Sequence, residues 1–308
     1  MKIEITKPLK LSKNQYYLLD NHSLMNILTI LMSEIELSGM MSGCKDKTSG
    51  LVSKVYELRK MLKRSVTESD DFRHLSELEE EAKVLFELMV KKTENDVEIQ
   101  NAIMESGENV ARIFSVFKAR VEELFEREAD DLSWKWSSIE GLYSNFDNVL
   151  VAIAKNSKGK YDIVENIARK TERDYVVNLK IESEDTEAIL MPAVMQDCLR
   201  DLIANARKYT KPGGEIHAGL YNNGRELTMV VKDSGCGIPE DEIEKVVNFG
   251  YRATNVLDKP TKGGGFGLTK AYYITKKFNG RFWISSAPEK GTEVTVKIPV
   301  PDYKGMGS

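Results

Sequence analysis

The sequence predicts an α+β fold in two parts, an antiparallel helical bundle followed by a mixed sheet carrying helices. Three observations lead there. Up to residue 157 apolar residues recur almost everywhere at three-four spacing, and Pro8 is the only proline. Beyond it, alternating apolar–polar runs interleave with shorter helical stretches, as in an α+β sandwich. Between the two regimes lies the polar run Lys155-Asn156-Ser157-Lys158-Gly159-Lys160, which reads as a linker. The expected domains are therefore 1–157 and 158–302.

In the first part, Leu24, Ile27, Leu28, Leu31 and Ile35 form one helical stripe, on a helix expected to be capped by Asp20 or Asn21. A second runs through Leu51, Val55, Leu58 and Leu62, and a third through Leu75, Leu78, Ala82, Leu85 and Met89. The longest joins Ile99, Ile103, Val110, Ile113, Phe117, Val121 and Leu124, and another follows through Leu132, Trp136, Ile139, Tyr143, Phe146, Leu150 and Ile153. Consecutive helices with short connections pack antiparallel. Long helices such as 97–126 and 131–155 commonly complete a bundle across a two-fold axis, so a homodimer is expected, with a monomeric bundle as the alternative.

In the second part, strands are expected at Tyr175–Ile181, Glu215–Tyr221, Glu226–Val231, Arg281–Ser285 and Thr292–Ile298. Asn223-Gly224 signals a hairpin between the second and third. Helices are expected at Ile163–Arg173, Ala193–Tyr209 and Phe266–Phe278.

Composition narrows the function classes. The chain has 308 residues, 41% hydrophobic and 30% charged, which suits a folded soluble protein. A formal net charge of -4 leaves no basic excess for nucleic acid. The three cysteines, Cys44, Cys198 and Cys236, are too few and too far apart for a disulfide framework or a CxxC zinc site. The N-terminus lacks the apolar region of a signal peptide, and no uninterrupted apolar run reaches bilayer length. A cytoplasmic protein without a membrane span is expected. The closing Gly305-Met306-Gly307-Ser308 is set aside as a tail.

Four segments of the second part carry chemistry. Asp201, Asn205 and Lys208 recur at i, i+4 and i+7 on one predicted helix, followed by Tyr209. A carboxylate, an amide oxygen and an ammonium on one face suit a magnesium–phosphate group, and they equally suit a solvated helix face. Asp233-Ser234-Gly235-Cys236-Gly237-Ile238 follows a strand. A carboxylate there accepts a hydrogen bond from the amine of adenine, or the run is an ordinary Asp-x-Gly turn. Phe249-Gly250-Tyr251-Arg252-Ala253 leads into the polar stretch Thr254–Lys262. Finally, Gly263-Gly264-Gly265-Phe266-Gly267-Leu268 runs into a helix N-terminus, which offers N–H groups to phosphate; its alternative is a flexible loop. No βαβ unit surrounds it, which disfavours a dinucleotide-binding fold.

In this order the four segments resemble the N, G1, F and G2 boxes of the GHKL ATP-binding superfamily, and of its members the sensor histidine kinases most. Asn205-Ala206-Arg207-Lys208-Tyr209-Thr210 looks like their N box, and Asn279-Gly280-Arg281 with Lys290-Gly291-Thr292 like their closing strands. The likeness extends over roughly residues 160–300. It implies a pocket for ATP and Mg²⁺, with Asn205 on the metal, Lys208 on phosphate and Tyr209 near adenine. It places Asp233 on the adenine amine, with Gly235, Gly237 and Ile238 shaping that turn. It puts Tyr251 and Arg252 in the F box, residues 253–262 in a lid, and Gly263, Gly265, Phe266, Gly267 and Leu268 around the triphosphate. Asp201 stands where the ATPase branches place a water-activating carboxylate, although it is shorter than their glutamate.

A histidine kinase needs an acceptor histidine, and the chain has three. His217 lies in an apolar strand and reads as structural, and His74 reads as a solvated surface group. His22, in His22-Ser23-Leu24-Met25-Asn26-Ile27-Leu28-Thr29, resembles the family's H box, with Asn26 at the Thr/Asn position four residues on. Ser23 stands where the family has Glu or Asp, and Ile27 where it has Pro. The resemblance thus implies phosphoryl transfer from ATP to His22 and then to an aspartate of a response-regulator receiver protein. The alternatives are an ATP-binding regulatory switch without autokinase activity and, third, an ATPase of chaperone or topoisomerase type.

Overall fold

The computed structural model describes residues 2–62, 72, 74–128, 133–156, 162–164, 171–258 and 265–301. Its compact units are Leu11–Asp130, and Met1–Lys10 joined with Asp131–Ser308. This division departs from the expected 157/158 boundary at both ends, for reasons visible in the sheet.

The helical unit has four helices among its described residues: α1 (Lys13–Met41), α2 (Lys45–Met61), α3 (Leu75–Lys92) and α4 (Val97–Glu128). The α1 helix begins earlier than expected. Ser12 caps it, its hydroxyl accepting from the Gln15 N–H while the Gln15 side chain accepts from the Ser12 N–H. Asp20 and Asn21 therefore lie inside the helix, and neither is its cap. Asn21 is buried and donates to the Leu62 carbonyl at the end of α2. Where α1 and α2 approach, Gly39 permits the contact, since a β-carbon there would lie 2.4 Å from the Thr48 hydroxyl.

Residues of the first four predicted stripes meet in one core. Leu24, Leu28, Leu31 and Ile35 of α1 pack with Leu51, Val55 and Leu58 of α2, Ala82, Phe86 and Met89 of α3, and Ile103, Phe114 and Phe117 of α4. Each such side chain contributes about 1.5–3 kcal/mol when fully buried. One helix bears on the expected absence of a membrane span. Asn21–Met41 is, by length and composition, apolar enough to cross a membrane (mean hydropathy 1.3), because its few polar residues are Asn, Ser, Thr, one histidine and just two acids. Some 44% of that window is buried inside the structure.

The second unit is built on a mixed sheet of β1 (Lys2–Glu4), β3 (Ile163–Val164), β4 (Tyr175–Ser183), β6 (Glu215–Asn222), β7 (Glu226–Asp233), β8 (Arg281–Ser286) and β9 (Thr292–Pro299). Their order is β1-β8-β9-β7-β6-β4-β3. The β3–β4 and β4–β6 pairs are parallel and the rest antiparallel. A second, two-stranded sheet pairs β2 (Trp134–Ser138) with β5 (Ala188–Pro192). Helices α5 (Ile139–Asn156), α6 (Ala193–Tyr209) and α7 (Gly267–Lys277) complete the unit.

All five expected strands form. The Asn223-Gly224 hairpin forms too, with Gly224 at φ +75° and the Asn223 side chain accepting from the Arg225 and Glu226 N–H groups. Two helix assignments fail. Trp134-Lys135-Trp136-Ser137-Ser138 alternates aromatic and polar residues and forms a strand, leaving Trp136 57% exposed instead of in a helical stripe. Ile163-Val164, two β-branched residues, form an edge strand beside Tyr175-Val176, so no helix starts there. The Asp174 carboxylate fixes this edge by accepting from the Asp162 and Thr171 N–H groups and from the Thr171 hydroxyl. Residues 165–170 of that expected helix, residues 157–160 of the linker and Leu132 lie outside the described residues.

The unit's core explains the shifted boundary. Leu142, Phe146 and Leu150 of α5 are buried with Met195, Leu199 and Leu202 of α6, Tyr272 and Ile274 of α7, and Leu220, Met229, Phe282 and Val296 of the sheet. Ile5 joins the same core at 1% exposure, and its N–H donates to the Phe282 carbonyl.

Candidate functional site

The pocket lies between the end of α6, the turn after β7 and the start of α7. Leu202, Ala206 and Tyr209, spaced i, i+4 and i+7, present one face of α6 to it, with Asn205 beside them. Val231, Ile238, Val246, Leu268 and Val294 make the remaining wall apolar. Among the described residues, Asp233 is the one carboxylate lining it.

The Asp233 position is built by backbone. It closes β7, and its Oδ1 accepts from the Gly235 N–H (2.7 Å) and the Thr292 N–H (3.2 Å). Burial pushes its carboxyl up to about 6, against the lowering effect of those two donors. Gly237 is at φ +67°, and a β-carbon there would lie 1.9 Å from the Ala287 carbonyl oxygen, so the turn tolerates only glycine. The Cys236 N–H donates to the Tyr209 carbonyl, tying the end of α6 to this turn. Cys236 itself is buried, as are the other two cysteines.

The opposite side is polar and basic. Gly267 opens α7, and a β-carbon on it would sit 2.3 Å from the Asn205 amide nitrogen. Gly265, at φ +74°, packs against the Tyr251 carbonyl. The Phe266 ring stacks on Phe249 with centroids 4.8 Å apart, anchoring the loop. Lys208 is half-buried, with its ammonium over the Tyr209 ring; burial, then Arg252 and Arg207, pull its pKa down to about 8. Arg252 lines the pocket and donates to the Val256 carbonyl, 2.6 Å away. Such a site pairs an apolar slot, with a carboxylate in its wall, with cations and a helix N-terminus at the other end.

Of the expected residues, Asn205, Tyr209, Asp233, Gly237, Ile238, Tyr251, Arg252, Gly265 and Leu268 line this pocket. Lys208, Gly235, Phe266 and Gly267 are not among its lining residues. Asp201 instead turns toward α7, its carboxylate 4.0 Å from the Lys270 ammonium. Lys270 is 3% exposed and also meets the buried Asp197, onto which Arg200 donates at 2.6 Å. This cluster of two acids and two bases, with Asp197 and Lys270 buried at its centre, joins α6 to α7. Gly263 and residues 259–262 of the expected lid lie outside the described residues.

One organising residue had escaped the sequence reading. Glu242 is buried and accepts from the Tyr251 hydroxyl, the Thr254 N–H and the Thr254 hydroxyl, whose bond holds its carboxyl below the ordinary value. It thereby fixes the backbone on both sides of Arg252. Its only signal in the sequence is an acid in the run Glu240-Asp241-Glu242, where nothing marks it from its neighbours.

The three histidines differ in setting. His74 is exposed, its Nδ1 2.8 Å from a Glu77 carboxylate oxygen. His217, expected to be structural, projects from the outer face of β6 and is exposed, beside Asn178 and Glu215. His22 is half-buried on α1, with the Asn26 amide nitrogen 3.4 Å from each ring nitrogen. Ser23 accepts from Arg120 of α4 at 2.6 Å.

Known proteins resemble parts of this chain. Residues 192–302 match the family of histidine kinase-, DNA gyrase B- and HSP90-like ATPases. This stretch runs from the start of α6 to the end of β9, so the second unit is a nucleotide-binding domain of that class. The chain is 28% identical over 200 residues to the adaptive-response sensory kinase SasA of Synechococcus sp. (strain CC9311), covering 65% of this chain and 50% of the relative. It is 35% identical over 103 residues to the sensor histidine kinase WalK of Bacillus subtilis (strain 168), covering 33% and 17%. It is 35% identical over 100 residues to the sensor histidine kinase RppB of Synechocystis sp. (strain ATCC 27184 / PCC 6803 / Kazusa), covering 32% and 22%. These relatives are sensory and sensor histidine kinases, and the likeness to them covers part of the chain. The chain spans half or less of the length of these relatives. Among solved structures, the catalytic domain of histidine kinase ThkA aligns with 55% of this chain and 98% of its own at 17% identity and a TM-score of 0.39.

Proposed function

We propose that this chain is a cytoplasmic histidine protein kinase that binds ATP with Mg²⁺, phosphorylates His22 and passes the phosphoryl group to an aspartate of a response-regulator receiver. The observation that carries the reading is Asp233, a carboxylate in the wall of an apolar slot whose other end holds Asn205, Arg252 and a glycine-opened helix. In this reading Asp233 accepts from the exocyclic amine of adenine, where guanine would present a carbonyl. Tyr209 and Ile238 flank the base. Lys208 and Arg252 neutralise phosphate, and the N–H groups from Gly265 to Leu268 hold its oxygens.

The residues fit a magnesium ion. Asn205 supplies a hard amide oxygen, and the absent β-carbon of Gly267 leaves its amide room beside the helix N-terminus. When bound, the ion neutralises charge on the transferring phosphoryl group. Asp201, paired with Lys270, is not given a hydrolytic role.

His22 and Asn26 supply the acceptor side, with a ring nitrogen on a half-buried helix face. A homodimer through the helical unit is proposed on the outward apolar residues of α1, among them Leu37, Met40 and Met41, which a second copy would cover. Incubation with γ-labelled ATP tests the reading: acid-labile, alkali-stable label is expected on the wild-type chain and absent from His22→Gln. Label of that kind persisting in the variant removes His22 as the acceptor.

The second reading is a nucleotide-dependent regulatory switch without autokinase activity. It is favoured by Ser23 in place of an acid, and by a four-helix core that closes within one chain. ATP binding with no phosphohistidine would establish it.

A further inference from the structure

We propose that Lys7 is a positioning residue for the nucleotide site, and that through it bound ATP tightens the segment running on into the helical unit. The inference rests on the pocket being an ATP site.

Lys7 is tied down at both ends. Its carbonyl accepts from the hydroxyl of the buried Tyr272 of α7, and its ammonium donates to the Asn248 side chain at 2.6 Å. The chain on either side is held as well. Ile5 is buried and its N–H donates to the Phe282 carbonyl, while Leu9 packs on the same core. Between Lys7 and Leu9, Pro8 has a restricted φ and no N–H, which stiffens this strap. The residues that follow leave the unit. Leu11 opens the helical unit, and Lys13 opens α1, the helix that carries His22.

Asn248 is where the strap meets the site. Its carbonyl accepts from the Thr269 hydroxyl at 3.0 Å and from the Tyr251 N–H at 3.2 Å. Thr269 is fully buried in the first turn of α7, next to Leu268 of the pocket wall. Tyr251 and Arg252 line the same pocket from the turn that Asn248 opens. Lys7 therefore grips both elements that flank the phosphate end, α7 through Tyr272 and the 248–251 turn through Asn248. The ammonium makes the second grip a charge-assisted bond, stronger than one between neutral groups. Elements already held in place spare the ligand the cost of ordering them. Asp233, at the adenine end, takes its position from the Gly235 and Thr292 N–H groups instead. The coupling is reciprocal: whatever factor the grip adds to ATP affinity, ATP adds to the stability of the gripped strap.

Titration of the full-length chain tests this, by calorimetry with ATP in Mg²⁺ and by NMR with adenosine. The chains compared are wild type, Lys7→Met, Asn248→Ala and the double variant. Lys7→Met keeps the aliphatic stem and the backbone carbonyl and removes the donor. Its ATP affinity is expected to fall about fivefold, with adenosine affinity unchanged and the melting temperature within about 2 °C of wild type. In the Asn248→Ala background the same substitution is expected to cost nothing further, whereas loss of a distant positive charge would cost as much there as in wild type. Equal ATP affinity in wild type and Lys7→Met overturns the proposal. So does an equal loss for adenosine, the mark of a merely structural role. Should Lys7→Met fail to fold, amide hydrogen exchange on the wild-type chain decides. ATP must slow exchange at residues 5–10 several-fold, and unchanged rates overturn the proposal. A wild-type chain that takes up ATP while these tests fail leaves the ATP site standing without Lys7. One that takes up no ATP overturns the reading of the site, and this inference with it.

Discussion

Asp233 carries a conflict between stability and recognition. Its carboxyl sits at about 6 in the folded chain, against an ordinary value of 3.8, because burial outweighs two backbone donors. A raised carboxylate pKa means the fold prefers the neutral form. The nucleotide-free domain therefore gains stability as pH falls from about 6 to about 4, and carries an ionised, poorly solvated group at pH 7. Asp233→Asn keeps an oxygen for the Gly235 and Thr292 N–H groups and removes the charge. It is expected to stabilise the free domain at pH 7 by on the order of 1–3 kcal/mol, an advantage over wild type that vanishes near pH 4. The same change is expected to weaken ATP at least tenfold and to erase its preference over GTP. Denaturant melts at the two pH values, with calorimetric titration of each nucleotide, check both halves. A variant no more stable than wild type at pH 7 would show that burial does not strain this carboxylate. What was legible here was the residue and its turn chemistry. What was not legible was the second donor, Thr292, which comes from a strand 59 positions away and is adjacent only because β7 and β9 pair.

Among elements, α6 and α7 form the part of the site most sensitive to small shifts, because the first residue of one touches the functional amide of the other. Ala at position 267 would set a β-carbon 2.3 Å from the Asn205 amide nitrogen, and that amide, at the far end of a side chain, is what moves. The backbone there needs no positive φ, and alanine is a good helix former. Gly267→Ala is therefore expected to leave the melting temperature within about 2 °C while lowering affinity for ATP tenfold or more in Mg²⁺. With magnesium chelated, the loss should be much smaller if Asn205 serves the metal. Calorimetric titrations with and without the ion measure the difference, and an equal loss in both would move Asn205 off the metal. The two helices were readable from their periods, Ala193–Tyr209 to the residue. Their joint was not. The set Asp197, Arg200, Asp201 and Lys270 looks in sequence like four solvated charges, and only packing shows that α7 brings its lysine between two acids. The failures at 134–138 and 163–164 have a related cause, since both are short strands whose partners, β5 and β4, are remote in sequence and outweigh a helical period.

At the scale of the whole molecule, the chain enters the nucleotide-binding unit, leaves it to build four helices, and returns. The first strand supplies an edge to β8 in the register Lys2–Ser285, Ile3–Ile284, Glu4–Trp283. Ile5 then fills the core, and Glu4 pairs with Arg281 at 2.6 Å. Lys7 donates to the Asn248 side chain at 2.6 Å, while its carbonyl accepts from the Tyr272 hydroxyl. Tyr272 is fully buried on α7, the helix whose first turn lines the site. A pattern-based boundary at 157 could not show this, because three residues of strand carry too little periodicity to register and their partner lies some 280 positions on. The consequence is testable by unfolding. Two compact units are expected to give two transitions, of which ATP raises only that of the nucleotide-binding unit. Deleting residues 2–8 removes a buried isoleucine and the strand's hydrogen bonds, a loss of roughly 2–4 kcal/mol. It is expected to lower the ATP-sensitive transition by about 5–10 °C and to leave the other unchanged, although the deletion joins directly onto α1 and its helical unit. Scanning calorimetry of both chains, with and without ATP, separates the cases. A deletion that lowers only the ATP-insensitive transition would place the N-terminal strand with the helices and contradict the sheet order found here.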